Sequence, residues 1–151
     1  MQAKIAIRKK AFINRKNKYF EVSINFFKPL TKLLKKYKKN KKNSLSLYYP
    51  TNYEVNILKL LEITKIKKIK TLLPVTKNKN NINFVEWQYL DPLKVNNFGM
   101  LDPCLQTKFL IPDVMLVPLL AFDSQNNRIG YGKGFYDKYL SKFLRNKKKI
   151  T

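Results

Sequence analysis

An α/β fold built on a mostly parallel sheet flanked by helices is what this sequence predicts, on three observations. Short apolar runs at 44–49 and 69–75 enclose a stretch of helical period, giving the β–α–β order of parallel neighbours. "VMLVPLLAF" (114–122) is a nearly continuous apolar run of strand length, as expected at the buried centre of a parallel sheet. After a short turn at 123–127, "RIGYGKGFYDKYL" (128–140) places three of the four glycines at alternate positions, Gly130, Gly132 and Gly134, ahead of a further helical segment. Ligands of such sheets bind outside the carboxyl ends of the strands, so this glycine turn marks the candidate site.

The elements follow in order. Residues 3–20 read as a basic helix. In residues 22–39, Phe26, Phe27, Leu30, Leu33, Leu34 and Tyr37 keep helix-face spacing, and Pro29 suits a first turn. A core-facing helix with a lysine-rich wet face explains this better than a helix lying on an anionic membrane. "KKNKKN" (38–43) reads as a loop, and "SLSLYY" (44–49) as a strand closed by Pro50. Asn52 is placed to cap a helix over 53–65, in which Val55, Leu58, Leu61 and Glu62 keep the period. "IKTLLPV" (69–75) is a second strand, "NKNNIN" (78–83) a turn, "FVEWQYL" (84–90) a third strand and "FGMLDP" (98–103) a loop. The run 114–122 is the next strand, and residues 134–145 the last helix.

The 151 residues suit one domain, in three parts: a basic helical part (1–43), the sheet with the glycine loop (44–145) and a tail (146–151). No stretch approaches the ~20 apolar residues of a membrane span, and the N-terminus lacks the apolar core of a secretory signal. The lone Cys104 reads as a small half-buried residue, excludes an internal disulfide and suits the reducing cytoplasm. Histidine is absent, which excludes Ser–His and Cys–His catalysis and most transition-metal sites.

A net charge of +23 resembles the footprint of a nucleic-acid partner. Yet the 32 basic residues are 28 Lys and only four Arg (Arg8, Arg15, Arg128 and Arg145), whereas phosphate and base readout favours arginine forks. Residues 1–43 hold 15 basic side chains against Glu21, while 99–140 hold four of each sign. The glycine loop therefore lies in the balanced part, and an A/T-rich genome accounts for the excess of Lys, Asn and Ile. Nucleic acid is weighed as the lesser alternative.

A glycine turn at a helix start gathers backbone N–H groups and the positive end of the helix dipole, which favour phosphate. Arg128 and Lys133 flank the turn, and Asp137 lies one turn into the helix, where a carboxylate can hold Mg²⁺ against phosphate oxygens. By itself this pattern matches neither the P-loop nor the dinucleotide fingerprint, and a flexible turn beside an ordinary surface acid stays open.

The segment 112–140, with its apolar strand, Ala-Phe-Asp, Arg-x-Gly-x-Gly-x-Gly, aromatic pair and Asp, resembles the signature of the 5-formyltetrahydrofolate cyclo-ligase family. "KIAIR" (4–8), "YYPTNYEVN" (48–56), "LLPV" (72–75), "FVEW" (84–87) and "FGMLDP" (98–103) are similar to other family segments and fall in the same order. The resemblance implies a three-layer, Rossmann-like domain, monomeric, that uses ATP and Mg²⁺ to cyclise a reduced formyl-folate, 5-formyltetrahydrofolate, to 5,10-methenyltetrahydrofolate. It implies ATP contacts from Lys4, Arg8 and the loop Arg128, Ile129, Gly130, Tyr131, Gly132, Lys133, Gly134, Phe135 and Tyr136. Of these, Arg128, Lys133 and Tyr136 are the catalytic candidates. Asp137 would hold the metal. Folate contacts would come from Tyr49, Glu54, Trp87 and Tyr131 to Phe135, although Trp87 and Phe84 read equally as core aromatics.

Two departures accompany the likeness. Lys138 stands where the family most often has Arg, keeping the charge without the fork. The family also continues into a further strand and acidic metal contact beyond "RNKKKIT" (145–151), so the expectation is a shortened enzyme or an eroded relative that binds without turnover.

Overall fold

The computed structural model describes residues 2–39, 44–66, 68–78, 81–104 and 108–147. They form helix α1 (Gln2–Asn17), a 3-10 turn (Ile24–Phe27), α2 (Lys28–Lys39), strand β1 (Ser44–Ser46), a 3-10 turn (Ile57–Lys59) and α3 (Leu60–Ile66). Then come β2 (Lys70–Asn78), β3 (Asn81–Glu86), β4 (Leu93–Val95), β5 (Leu101–Pro103), β6 (Val114–Met115), β7 (Ala121–Phe122), β8 (Arg128–Ile129) and α4 (Phe135–Lys147). Parts of the expected loop at 38–43, turn at 78–83 and tail at 146–151 lie outside the described residues. No described helix is long and apolar enough to cross a membrane.

The chain divides into two compact units. The larger comprises Phe20–Val75 and Asn83–Leu116. Its sheet has the strand order β3-β2-β1-β6, with β1 parallel to both neighbours. The short connection from β2 to β3 suits an antiparallel hairpin, so the sheet is mixed but mostly parallel, and helices flank it. Strand β1 is central. Leu45 and Leu47 on one face and Ser46 on the other are all fully buried, as a strand covered on both sides requires. Its start is locked to β6: Asp113 Oδ2 accepts from Ser44 N–H (3.0 Å) and Oγ (2.8 Å), and Asp113 N–H donates to Ser44 Oγ (2.9 Å). These bonds fix the register in which Leu45 faces Val114.

Leu45, Leu47, Leu60 and Leu73 pack with Val22, Phe27, Leu34, Ile57 and Trp87 in the core of this unit. Leu72, on the middle of β2, has no exposed surface. Leu72→Ala is expected to cost about 2–5 kcal/mol, the range for a buried leucine that leaves a cavity. Urea unfolding will show it, and a loss below about 1 kcal/mol, as for exposed positions, would contradict this placement.

The smaller unit comprises Met1–Tyr19, Thr76–Ile82 and Val117–Thr151. In it β7 pairs antiparallel with β8, Ala121 facing Ile129 and Phe122 facing Arg128. Asp123 closes the hairpin, its carboxylate accepting from the N–H groups of Gln125 and Asn127 and from Asn127 Nδ2. Phe135, 6% exposed, buries the start of α4, and Lys142 Nζ donates to Asn81 Oδ1 at 2.6 Å.

Four sequence expectations need correction. The apolar run 114–122 is not one strand: β6 ends at Met115, and the chain resumes pairing only in β7. Pro118 offers no N–H to a ladder, and Leu120 N–H goes instead to Ile129 C=O (2.8 Å). The run 84–90 leaves the sheet after Trp87, because Asp91 turns the chain by accepting Gln88 N–H at 2.7 Å. Tyr89 and Leu90 are thereby exposed, Leu90 with φ 78°. The segment 98–103 is partly a strand: β5 pairs antiparallel with β4 around a turn in which Asn96 Oδ1 accepts from Phe98 and Met100 N–H. Asn52 does not cap a helix. It and Tyr53 take left-handed φ of 49° and 63°, and Asn56 caps the next turn through Leu58 N–H (3.2 Å).

Candidate active site

In the smaller unit, the glycine loop links β8 to the 13-residue α4. Gly132 has φ 103° and Gly134 φ 70°, conformations that side-chain-bearing residues rarely adopt. Gly134 C=O accepts the first helical bond, from Lys138 N–H at 3.0 Å, so α4 opens directly behind the loop. A helix start offers N–H groups and the positive end of its dipole to an anion.

Helix α1 supplies the facing cations. Arg8 Nε donates to Gly130 C=O at 2.9 Å, and its guanidinium lies flat enough against Gly132 that an added Cβ would stand 3.4 Å from Cζ. Seven residues on, and so on the same helix face, Arg15 Nη1 donates to Tyr131 Oη at 2.8 Å and Nη2 to Leu119 C=O. The third guanidinium is that of Arg128 on β8, which pairs with Asp137 in the first turn of α4. Arg128 is 21% exposed and Asp137 70%, so the carboxylate faces water while its partner is largely covered. Three of the chain's four arginines thus surround one loop, in a protein that otherwise uses lysine. Arginine differs from lysine in its rigid fork of donors, which matches phosphate and carboxylate oxygens.

Of the expected phosphate contacts, the structure gathers Arg8, Arg128, Gly130, Tyr131 and Gly132. Lys4 is exposed one turn before Arg8, Lys133 is an exposed residue of the loop, and Ile129 and Tyr136 are half-buried. Arg15 is absent from the motif-based set, because the family-like N-terminal pattern ends at Arg8. Its spacing from Arg8 and the rarity of arginine were the signals that could have found it.

The folate-side candidates belong to the larger unit. Glu54, 8% exposed, turns its carboxylate back to Thr51, accepting from N–H at 2.9 Å and Oγ1 at 3.4 Å. Tyr49 meets Trp87 edge to face, with centroids 6.4 Å apart. Trp87 is 2% exposed and donates Nε1–H to Asp91 C=O at 3.1 Å, and Phe84 is fully buried. In this structure both rings pack as core aromatics.

The full length of the chain, residues 1–151, matches the model of the 5-formyltetrahydrofolate cyclo-ligase family. The chain belongs to that family. It is 31% identical over 103 residues to the 5-formyltetrahydrofolate cyclo-ligase of Haemophilus influenzae, and 34% identical over 108 residues to that of Mycoplasma genitalium. Those alignments take in 64% and 71% of this chain and 55% of each relative. The chain therefore spans about half the length of these curated cyclo-ligases. The solved 5,10-methenyltetrahydrofolate synthetase of Aquifex aeolicus superposes with a TM-score of 0.63 at 27% identity, covering 91% of this chain and 72% of that one. The corresponding structure from Mycoplasma pneumoniae gives 0.60 at 24% identity over 91% and 77%, a likeness of fold alone.

The hairpin that precedes the glycine loop carries a pH-dependent contact. The hydrogen bonds from Asn127, side chain first and then backbone, hold the Asp123 carboxyl below its ordinary 3.8. A depressed folded value means that the turn is fully supported above the unfolded pKa and loses this support as pH falls through the folded one. The Asn127 amide shift in NMR is expected to titrate with a midpoint below 3.8. A midpoint at or above that value would show the carboxylate bonds to be unimportant.

Proposed function

We propose that this chain is a 5-formyltetrahydrofolate cyclo-ligase, converting 5-formyltetrahydrofolate and ATP to 5,10-methenyltetrahydrofolate, ADP and phosphate. The observation that carries the reading is the convergence of Arg8, Arg15 and Arg128 on a glycine loop that opens a long helix. Family membership supplies the substrate class.

The formamide oxygen is a poor leaving group. In the proposed reaction it takes the γ-phosphoryl group, breaking the bond to ADP. Nitrogen 10 of the folate then attacks the formyl carbon, loses its proton, and phosphate departs with the oxygen. This chemistry needs positioning and charge neutralisation rather than a strong base, and the absence of histidine is no obstacle to it. Arg8, Arg128 and the loop from Ile129 to Tyr136 hold and neutralise the phosphates, with Lys4 and Lys133 adding charge at the rim. Glu54 and Tyr49, in the larger unit, are the candidates for folate contact.

Among the described residues no group of three His, Cys, Asp or Glu side chains gathers to hold a metal. Mg²⁺ fits this loop in the mode that uses one carboxylate with phosphate oxygens and water, and Asp137 would hold it. Once bound, it would neutralise charge on the phosphate oxygens. Arg128 now occupies that carboxylate and would turn to the phosphates.

The test is formation of 5,10-methenyltetrahydrofolate, followed by its absorbance, with and without ATP and Mg²⁺. ATP-dependent product supports the assignment. Calorimetric binding of ATP without product would instead mark a relative that binds and no longer turns over, and binding of neither would refute the reading.

A further inference from the structure

We propose that Arg15 is a positioning residue, which holds the glycine loop in its ligand-ready form by clamping Tyr131 to the Leu119 backbone. The proposal rests on the phosphate-binding reading of the same loop and adds a residue outside the family-like motif.

One guanidinium spans two segments. Arg15 Nη1 donates to Tyr131 Oη at 2.8 Å, while Nη2 donates to the carbonyl of Leu119. The guanidinium carbon also lies 6.0 Å from the Tyr131 ring centroid, at the outer limit of a cation–π contact. Leu119 lies between Pro118 and β7, where the chain is in no ladder, so its carbonyl looks to a side chain for a donor. Tyr131 stands between Gly130 and Gly132, the two residues that meet Arg8. Fixing its hydroxyl therefore fixes the stretch of backbone that faces Arg8.

The loop needs such a restraint. Glycine has more conformational freedom than any other residue, and three glycines at alternate positions make a loop that is costly to order. A ligand that must order the loop loses that free energy from its affinity, and a loop ordered beforehand does not. Tyr131 is 39% exposed, so packing does not enclose it fully, and the clamp adds a fixed point at its hydroxyl. A lysine cannot replace Arg15 here, because two acceptors on different segments call for the spread donors of a planar fork.

The experiment compares wild type with Arg15→Ala, Arg15→Lys, Tyr131→Phe and the double variant Arg15→Ala/Tyr131→Phe. Hydrogen exchange of residues 130–134 is measured first, without nucleotide. Exchange about 10-fold faster than wild type is expected in each variant, with no further increase in the double variant. ATP dissociation constants from calorimetry are expected to rise about 10-fold in the same non-additive pattern, with kcat changed far less than KM. Full recovery by Arg15→Lys would show that charge alone matters and would overturn the clamp. So would additive effects, or unchanged exchange. Tyr131→Phe removes one exposed hydroxyl and keeps the test open if Arg15→Ala does not fold. Because exchange is read without ATP, the clamp can stand even if the chain binds no nucleotide, and it can fail while turnover is intact.

Discussion

Replacing Gly132 with alanine is expected to weaken ATP binding by about 100-fold, roughly 2.7 kcal/mol, while the thermal midpoint falls only slightly. Two costs meet at this residue. Its φ of 103° lies in a region where a Cβ is strained by about 1–3 kcal/mol. The new methyl would also stand 3.4 Å from Arg8 Cζ and 3.6 Å from Nε, directly against the guanidinium. If the loop relaxes to a negative φ, the strain goes but so does the backbone course that brings Gly130 C=O to Arg8. If Arg8 moves instead, the loop loses its nearest cation. Either escape damages the proposed phosphate site, and neither reaches the buried leucines of β1 and β2. Gly130→Ala is the internal control. Gly130 is not in the left-handed region, and its added Cβ would meet only Arg128 Nη1, at an ordinary contact distance of 3.6 Å. Its effect on affinity should stay within about 3-fold, under 1 kcal/mol. Equal losses from the two alanines would mean that crowding anywhere in the loop, rather than the backbone at 132, controls binding.

The same contrast explains what the sequence could and could not reveal. Alternating glycines ahead of a helix were legible because the physical demand, a backbone with φ > 0 at Gly132 and Gly134, falls on single residues. Strand β1 and its parallel neighbour β2 were legible because burial on two faces leaves a short apolar run. The run at 114–122 misled because apolarity reports burial and not partners: its first residues pair with β1 and its last with β8. Turns set by side chains were also hidden. Asp91 and Asn96 bend the chain through bonds to N–H groups two to four residues away, and their letters alone do not show which N–H they take. Asn52 was the right residue type at the wrong place, since Glu54 bonds back to Thr51 and postpones the helix to the cap at Asn56. In the candidate site, Arg15 escaped notice because its role depends on meeting Tyr131, 116 residues along the chain.

Arg128→Ala and Asp137→Ala should each lower kcat/KM by at least about 100-fold, near the loss seen when a charge-stabilising donor is removed from an active site, yet barely change stability. The two side chains form an ion pair, and a purely structural pair predicts the opposite balance. Asp137 is 70% exposed, and a pair so open to water contributes at most about 1 kcal/mol. A fold that lost only this contact would keep its activity. In the proposed reaction each partner has separate work once ATP arrives, Arg128 on phosphate oxygens and Asp137 on Mg²⁺. The swapped variant, Arg128→Asp with Asp137→Arg, separates the two accounts. It restores opposite charges across the same gap and should recover most of any stability lost in the single variants. It also places a carboxylate where phosphate must sit and a guanidinium where the cation must sit, so turnover should remain lost. Thermal denaturation and the methenyl-folate assay read the two quantities on one sample. Recovery of both together would reduce the pair to a structural contact and move the search for the metal-binding carboxylate away from Asp137.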